Sequence, residues 1–295
     1  MNSPTERPGR LRVGIVGAGR VGAVLGAALA RAGHRVVAAS AVSSRDRAAE
    51  LLPGVPFLAP QEVVEAAELV LLTVPDDALA DLAAGLVAAD VNVRGRLFAH
   101  ACGRYGIAVL EPLTRAGGLP LALHPVMTFA GRPDDLDRLA GISFGVTAPG
   151  PLRPVGEALV VEMGADPVWI EEEHRTLYHA ALAIGANHLV TLVVEASGLL
   201  TRAGVEEPSR LLGPLLGAAL DNALRLGAHG LTGPVARGDA GTVADHVAAV
   251  GAASPEALAA YLAMARRTAD LALDAGLLKP ESAERLLGAL HQPRE

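Results

Sequence analysis

The sequence predicts an α/β fold, a doubly wound parallel sheet, followed by an all-α C-terminal domain. Between residues 11 and 170, short apolar runs alternate with helical segments, and strands that alternate with helices are typical of a parallel sheet. From residue 171 to residue 295 only helical periodicity remains. We therefore expect three parts: a flexible tail at 1–10, an α/β domain at 11–170 and a helical domain at 171–295.

The first apolar run is followed at once by a glycine motif. A strand is predicted at 11–16, a helix at 21–32 and a second strand at 34–40, and G-x-G-x-x-G lies between the first two. In this setting the motif predicts a dinucleotide-binding unit with pyrophosphate at the helix N-terminus, although a plain glycine-rich turn in a flavodoxin-like sheet is the alternative. The residues expected to hold the pyrophosphate are Gly17, Ala18, Gly19, Arg20, Val21 and Gly22.

The end of the second strand points to NADP(H). An NAD enzyme usually has Asp or Glu there to bond the ribose hydroxyls, and none is present. Ser43, Ser44 and Arg45 follow instead, and small hydroxyls with an arginine suit a 2′-phosphate. The alternative is a solvated turn that caps the next helix.

Three further apolar strands are predicted at 68–74, 96–100 and 119–123. The carboxyl ends of parallel strands meet at one edge of the sheet, where ligands bind in such folds. Val74 and Pro75 are therefore expected on the ribose side of the cofactor, and Cys102 and His124 on the nicotinamide side.

One long helix is predicted at 171–203, and it carries His179 and Asn187. At 100° per residue these two lie two turns apart and can border one cleft between the domains, although a polar group satisfied in the core is the alternative. Residues 180–200 are the most apolar long window of the chain, but its polar residues would be costly in lipid. We therefore expect a buried helix of a soluble protein.

The segment 231–239 is rich in glycine and polar residues and predicts a structured turn. Arg237 could present its guanidinium to an anionic substrate, with Asp239 capping the following helix. Alternatively, Arg237 and Asp239 pair with each other and hold the loop.

Composition excludes several classes of function. The net charge is −7, and no basic stripe alternates with aromatic residues, so nucleic acid is not expected as a partner. A single cysteine excludes a disulfide framework and a Cys-based zinc site, so no metal is expected, and it suits a reducing cytoplasm. No membrane association is expected.

The chain resembles, over nearly its whole length, bacterial oxidoreductases that join a Rossmann-like NADP-binding domain to a C-terminal helical domain of unknown function. More distantly it is similar to 6-phosphogluconate dehydrogenase-like enzymes, pyrroline-5-carboxylate reductase and ketopantoate reductase. The motifs that carry the resemblance are the glycine motif at 17–22, V-P-D-D at 74–77, H-P-V-M-T-F at 124–129, Y-H-A at 178–180 with N-H-L at 187–189, and L-T-G-P-V-A-R-G-D at 231–239.

The resemblance implies hydride transfer between NADP(H) and a small, carboxylate-bearing carbonyl or imine compound, with ketopantoate-like 2-oxoacid reduction as a candidate. Two departures change the expected site: Cys102 stands where the family commonly has serine, and Ala183 stands where related dehydrogenases have a lysine. A lysine acid is therefore excluded, so His179 is the preferred proton donor, His124 or water the alternatives, and Asn187 would position the oxygen. The apolar helices suggest a homodimer. A non-catalytic NADP(H)-binding sensor is the rival function.

Overall fold

One sheet of seven strands forms the centre of the N-terminal half. The computed structural model describes residues 9–42 and 45–291, so most of the predicted tail lies outside the described residues. The strands are Arg12–Val16 (β1), Arg35–Ser40 (β2), Leu69–Leu72 (β3), Leu97–His100 (β4), Leu119–Pro125 (β5), Ser143–Thr147 (β6) and Asp166–Trp169 (β7). They lie side by side in the order β2-β1-β3-β4-β5-β6-β7. The α/β class predicted from alternating strands and helices is thus confirmed.

Helices follow the strands in the first half and dominate the second. In the first half they are Arg20–Arg31 (α1), Arg45–Leu51 (α2), Pro60–Ala66 (α3), Leu79–Ala88 (α4), Glu111–Arg115 (α5), Asp134–Leu139 (α6), Arg153–Glu162 (α7) and Arg175–Ala183 (α8). The remaining helices are Leu189–Arg202 (α9), Pro208–Leu226 (α10), Pro234–Arg237 (α11), Ala240–Ala253 (α12), Pro255–Asp274 (α13) and Pro280–Ala289 (α14). The all-helical second half is confirmed as well.

All neighbouring strands run parallel except β5 and β6, which are antiparallel. The connection between these two strands contains only the short helix α6, and an antiparallel pair needs no long crossover. The carboxyl ends of β1, β3, β4 and β5 therefore share one edge, which is the edge predicted to bind ligand.

Helices cover both faces of the sheet. One buried apolar cluster includes residues of α1, α7 and β5, and a second includes residues of α3, α4 and β3. Glycines set how closely the helices approach: a Cβ at Gly26 of α1 would lie 2.2 Å from Ile15, and a Cβ at Gly14 of β1 would lie 2.8 Å from Val63 of α3. Close packing on both faces fixes the position of β1 and of the turn that follows it.

The chain divides into two compact units, Met1–Ala183 and Ile184–Glu295. The division falls within the stretch that the sequence predicts as one helix, where a π-helical turn at Ile184–His188 separates α8 from α9. The domain boundary at residue 171 remains a prediction, based on where the strand pattern stops.

The second unit has its own core but leaves two helices exposed. Its buried apolar cluster is built from α11, α12, α13 and α14. In contrast, α9 has no buried residue and α10 has one, Leu212. The stretch Glu172–Arg202 is long and apolar enough to cross a membrane by length and composition alone, yet none of its most apolar window is buried. The expectation of a buried helix at 180–200 is therefore wrong, because the described part of one chain does not cover these side chains.

Candidate active site

The glycine turn between β1 and α1 is held by main-chain contacts. The N–H groups of Gly17 and Ala18 both donate to the carbonyl of Ser40 at the end of β2, at 3.1 and 2.7 Å. Gly17 has φ +92°, which favours glycine, and its Cβ would lie 2.9 Å from the backbone of Thr73. A Cβ at Gly22 would lie 2.2 Å from the Thr73 hydroxyl. Gly17 and Gly22 are thus required by close packing, as the motif predicts.

Thr73, directly after β3, is a contributor to this turn that the sequence reasoning missed. Its hydroxyl donates to the carbonyl of Gly17 at 2.9 Å. A hydroxyl residue at the end of an apolar strand is the signal that could have identified it. Because β3 pairs directly with β1, the residue after β3 lies next to the glycine turn after β1.

The turn fits the phosphates of a dinucleotide. Gly19 precedes α1, and none of the described side chains caps this helix or places an acidic group in its first turn. A Cβ at Gly19 would have its nearest neighbour at 3.9 Å, so the space in front of the first helical turn is open. Exposed Arg20 and half-buried Val21 complete the motif. A helix N-terminus with uncapped N–H groups and no competing carboxylate is suited to bind an anion.

Of the three residues predicted to read a 2′-phosphate, the structure describes one. Arg45 is the exposed first residue of α2, with its Nε 3.4 Å from the carbonyl of Ala41 and its guanidinium 6.0 Å from the ring centre of Phe57. Ser43 and Ser44 lie outside the described residues.

The buried ring of His100 holds the loop after β4, which contains Cys102. His100 is 1% exposed; its Nε2 lies 2.7 Å from the carbonyl of Gly106, and its Nδ1 accepts from the Cys102 N–H at 3.2 Å. This pattern requires a neutral ring with its proton on Nε2. Burial accordingly lowers the pKa of His100 to about 4.

The Cys102 side chain is buried in the second apolar cluster. The residue is 7% exposed, and burial, aided by a hydrogen bond to Asp76, raises the pKa of the thiol to about 12. Half-buried Val74 and exposed Pro75 lie directly after β3, at the same sheet edge.

Three rings converge at the end of β5. Nδ1 of His124 lies 2.8 Å from the hydroxyl of Tyr178, and the two rings meet edge to face at 5.6 Å. The rings of His124 and His179 are also perpendicular, with centres 6.1 Å apart. Gly103 lies against both histidines: a Cβ there would be 2.5 Å from His179 and 2.9 Å from Nε2 of His124. The structure thus brings together two of the three predicted catalytic residues, within one unit.

A buried arginine lies behind this cluster. Arg175 is 1% exposed, and its guanidinium donates to the hydroxyl of Thr147 and to the carbonyls of Ala122 and Gly145 at 2.7 to 3.1 Å. Its Nη1 has no hydrogen-bond partner among the described residues. Burial lowers the pKa of this guanidinium, which nonetheless stays charged because an arginine is protonated throughout the physiological range.

The charge of Arg175 acts on His124. Burial and then this guanidinium lower the pKa of His124 to about 4, with a further contribution from His179 and an opposing one from Asp76. The His124 ring is therefore neutral near pH 7. Sequence reasoning missed Arg175, because an arginine in the first turn of a helix usually points to solvent.

Glu172 connects the loop after β4 to the helix that carries Tyr178. Its carboxylate accepts from the N–H groups of Ile107 and Ala108 at 2.7 and 3.1 Å. A Cβ at Gly106 would lie 2.0 Å from this carboxylate, so only glycine fits there. These contacts hold the residues before α5 in a loop.

The other predicted site residues belong to the second unit. Asn187 lies in the π-helical turn and is exposed. Asp239 caps α12 by accepting from the N–H of Thr242 at 3.1 Å and from its hydroxyl at 2.7 Å, and these bonds lower the pKa of Asp239. Arg237 is exposed and donates to the carbonyl of Thr232. Among the described residues the two do not form an ion pair. Asp239 therefore acts as the helix cap, and part of the Arg237 guanidinium stays available for a further hydrogen bond.

Two known domain families match this chain. A Rossmann-like domain family matches residues 1–125, and the family described as a domain of unknown function, DUF2520, matches residues 142–268. The chain thus combines a Rossmann-like N-terminal domain with a C-terminal DUF2520 domain, and the family resemblance is confirmed. No curated protein sequence matches this chain.

Several solved structures share the fold. BF3122 of Bacteroides fragilis, described as an NADP oxidoreductase, is 21% identical with a TM-score of 0.73, over 88% of this chain and 98% of its own. An imine reductase from Pseudomonas sp. is 20% identical with a TM-score of 0.64, over 96% and 100%. A reductive aminase from Aspergillus terreus, in complex with NADPH and ethyl levulinate, is 16% identical with a TM-score of 0.68, over 95% and 99%.

Proposed function

We propose that this protein is an NADP(H)-dependent oxidoreductase that transfers hydride between the nicotinamide and a small carbonyl or imine compound. The observation that carries the proposal is the juxtaposition of His124 and His179 at the sheet edge that also holds the open glycine turn. Structural neighbours of the same fold are NADP-dependent reductases, in agreement with this class of enzyme and cofactor.

The glycine turn would hold the pyrophosphate on the N–H groups at the start of α1, and Arg45 the 2′-phosphate. Bound NADPH supplies the hydride, from C4 of its nicotinamide. This chain would then bind and orient the substrate and deliver one proton to its oxygen or nitrogen. The two rim histidines, His124 and His179, are the groups proposed to supply that proton.

The substrate is proposed to carry a carboxylate, as in a 2-oxoacid such as ketopantoate. Arg237 supports this proposal because its guanidinium is exposed and not paired with Asp239. Asn187 is proposed to position the reacting oxygen or nitrogen. Asp239 contributes by fixing the turn that carries Arg237.

The protein is also proposed to be a cytoplasmic homodimer. Apolar side chains stay exposed along α9 and α10, including Val194 at 65%, Leu215 at 64% and Leu224 at 79%. A second copy is the favoured cover for this surface, because the same helical stretch carries the polar residues Asn187 and Glu195, which are costly in lipid.

Cofactor titration followed by turnover tests the function. Fluorescence titration should show tighter binding of NADPH than of NADH, and Arg45→Ala should weaken NADPH binding about 10- to 100-fold by removing charged hydrogen bonds to a phosphate. Arg115→Ala, at an exposed arginine of α5, is the matched control. A panel of 2-oxoacids and imines then tests turnover.

Two results would contradict the proposal in different ways. A wild-type affinity that favours NADH over NADPH, or no effect of Arg45→Ala on the preference between the two cofactors, would remove the argument for NADP(H). Tight cofactor binding without turnover of any carbonyl or imine, and without an effect of His179→Ala, would favour the sensor function instead.

A further inference from the structure

We propose that Tyr178 is the proton reservoir of the reaction and acts through His124. In this relay the phenolic O–H donates to Nδ1 of His124, and the Nε2–H of the same ring delivers the proton to the substrate. The inference rests on the proposed oxidoreductase function and concerns a residue of the Y-H-A motif to which the sequence analysis assigned no role.

The hydrogen bond between the two side chains fixes the direction of the relay. Tyr178 O lies 2.8 Å from Nδ1 of His124. Among the hydrogen bonds of the described residues, the phenolic oxygen has no partner other than Nδ1, so its proton is directed there. A neutral imidazole that accepts at Nδ1 carries its proton on Nε2. Nε2 has no hydrogen-bond partner among the described residues and lies beside Gly103, at the rim.

Gly145 gives the phenol room to reach His124. A Cβ at this position would lie 2.4 Å from the Tyr178 oxygen, so the strand can approach the phenol only as glycine. The close approach places the phenol behind the ring that faces the rim.

Arg175 supplies the charge that makes a relay necessary. Its buried guanidinium lies 5.7 Å from the ring centre of Tyr178 and disfavours a second proton on His124. The charged and titratable groups that act on His124 are Arg175, His179, Asp76 and His100, and of these only Asp76 favours the imidazolium. A neutral imidazole cannot be a net acid by itself, but it can pass on a proton that it receives at its other nitrogen.

The protons and electrons of the step balance. Hydride from NADPH adds to the substrate carbon, and the oxygen or nitrogen of the broken π bond takes the proton from Nε2. The N–H bond at Nε2 breaks as Nδ1 takes the phenolic proton, which leaves a phenolate near Arg175. Tyr178 also lines an open groove of about 310 Å³ with Trp169 and His174, through which water can return the proton.

His179 does not have such a reservoir. The described residues contain no hydrogen-bond partner for its ring, whereas His124 has one on the side away from the rim. We therefore assign proton delivery to His124. His179, together with Gly103, is assigned the role of limiting the space beside the His124 ring. This assignment reverses the preference for His179 that the sequence suggested.

Tyr178→Phe is the test, because it removes the hydroxyl and keeps the ring that packs against His124. The variant should bind NADPH as tightly as the wild type but reduce its substrate about 100-fold or more slowly at pH 8. Its kcat should fall as pH rises, since the solvent becomes the proton source, whereas the wild-type kcat should stay flat from pH 6 to pH 9. A loss by the same factor at every pH would indicate a structural role and overturn the relay.

The second unit provides a matched control. Tyr261 also pairs with a histidine, since its hydroxyl lies 3.1 Å from Nδ1 of His246 with the rings edge to face. Tyr261→Phe removes the same type of hydrogen bond and should leave kcat and its pH profile unchanged. An equal change in both variants would contradict a specific role for Tyr178.

A measurement without turnover separates the relay from the proposed function. Nitrogen NMR of the histidine rings in the protein without substrate should show His124 as the neutral Nε2–H tautomer, with loss of this preference in Tyr178→Phe. An Nδ1–H tautomer in the wild type would overturn the relay even if the enzyme reduces its substrate. Failure to bind NADPH would instead overturn the proposed function, and the relay with it.

Discussion

The two units differ in how much of their apolar surface they bury. The first unit encloses its apolar side chains on both faces of the sheet, and its helices approach so closely that several glycines cannot be replaced. The second unit buries one cluster among four helices and leaves most apolar side chains of α9 and α10 exposed. The same alanine- and leucine-rich composition therefore gives a closed core in one unit and an open surface in the other.

The largest effect is expected from replacing a glycine in the closed unit. Gly22→Val places its Cβ 2.2 Å from the Thr73 hydroxyl and 2.7 Å from the Gly17 carbonyl, so the turn and α1 cannot both keep their positions. We expect a loss of about 3 kcal/mol or more in the free energy of unfolding, together with loss of NADPH binding. Urea unfolding followed by the fluorescence of the single tryptophan, Trp169 in β7, measures the first unit.

Gly85→Val is the matched control for this change. A Cβ at Gly85 of α4 meets nothing within 4 Å, so the same substitution should change stability by only about 0.5 kcal/mol. Equal stability of the two variants would show that the close approach at Gly22 is not required.

The next largest effect is expected from placing charges on the exposed apolar surface of α10. If a second copy covers α10, Leu215→Glu with Leu224→Glu should raise the dimer dissociation constant about 100-fold or more, since each leucine contributes about 1.5–3 kcal/mol when buried. Light scattering after gel filtration at micromolar concentration measures the mass. Val161→Glu, at an exposed apolar residue of α7, should leave the dimer intact. A monomeric wild type would refute the dimer.

Acid should weaken the closed unit through its buried histidines. The pKa of His100 lies at about 4 in the folded protein and at 6.5 when unperturbed, so the unfolded chain binds more protons between these values. The free energy of unfolding should therefore be constant above about pH 6.5 and fall by up to about 3 kcal/mol as pH decreases to about 4. Lowered pKa values of Glu68 and Glu162 act in the same direction.

His100→Gln isolates the histidine contribution. The variant should be less stable than the wild type at pH 7, because it changes the bonds to Gly106 and Cys102, but its stability should depend less on pH. Tryptophan-monitored unfolding at pH 7 and pH 4.5 provides the comparison. An unchanged pH dependence would assign the effect to His124 and the carboxylates.

Local patterns predicted the strands and the glycine turn well, because each depends on residues adjacent in sequence. The runs predicted at 68–74, 96–100 and 119–123 coincide with β3, β4 and β5 to within two residues at every end. The helices α3 and α6 were not predicted. Both are short, and short helices owe their stability to packing rather than to propensity.

The chemistry of the rim was only partly predictable. His124 and His179 could be proposed from sequence, but Tyr178 and Arg175 gain their roles from partners on other elements. Gly145 on β6 accepts an Arg175 hydrogen bond and gives the Tyr178 hydroxyl its space, and nothing in the sequence near residue 145 indicates this. Exposure of α9 and α10 was likewise invisible, because apolar periodicity does not reveal what covers a face.

The bond from Glu172 to the loop after β4 has a mechanical consequence. Glu172 lies just before α8, which carries Tyr178 and His179, and its carboxylate grips the main chain at residues 107 and 108. A displacement of α8 therefore pulls that loop, and Gly103 with it, in the same direction. We therefore expect α8, the loop after β4 and the rings of Tyr178 and His179 to move together, so that their mutual distances at the rim are kept.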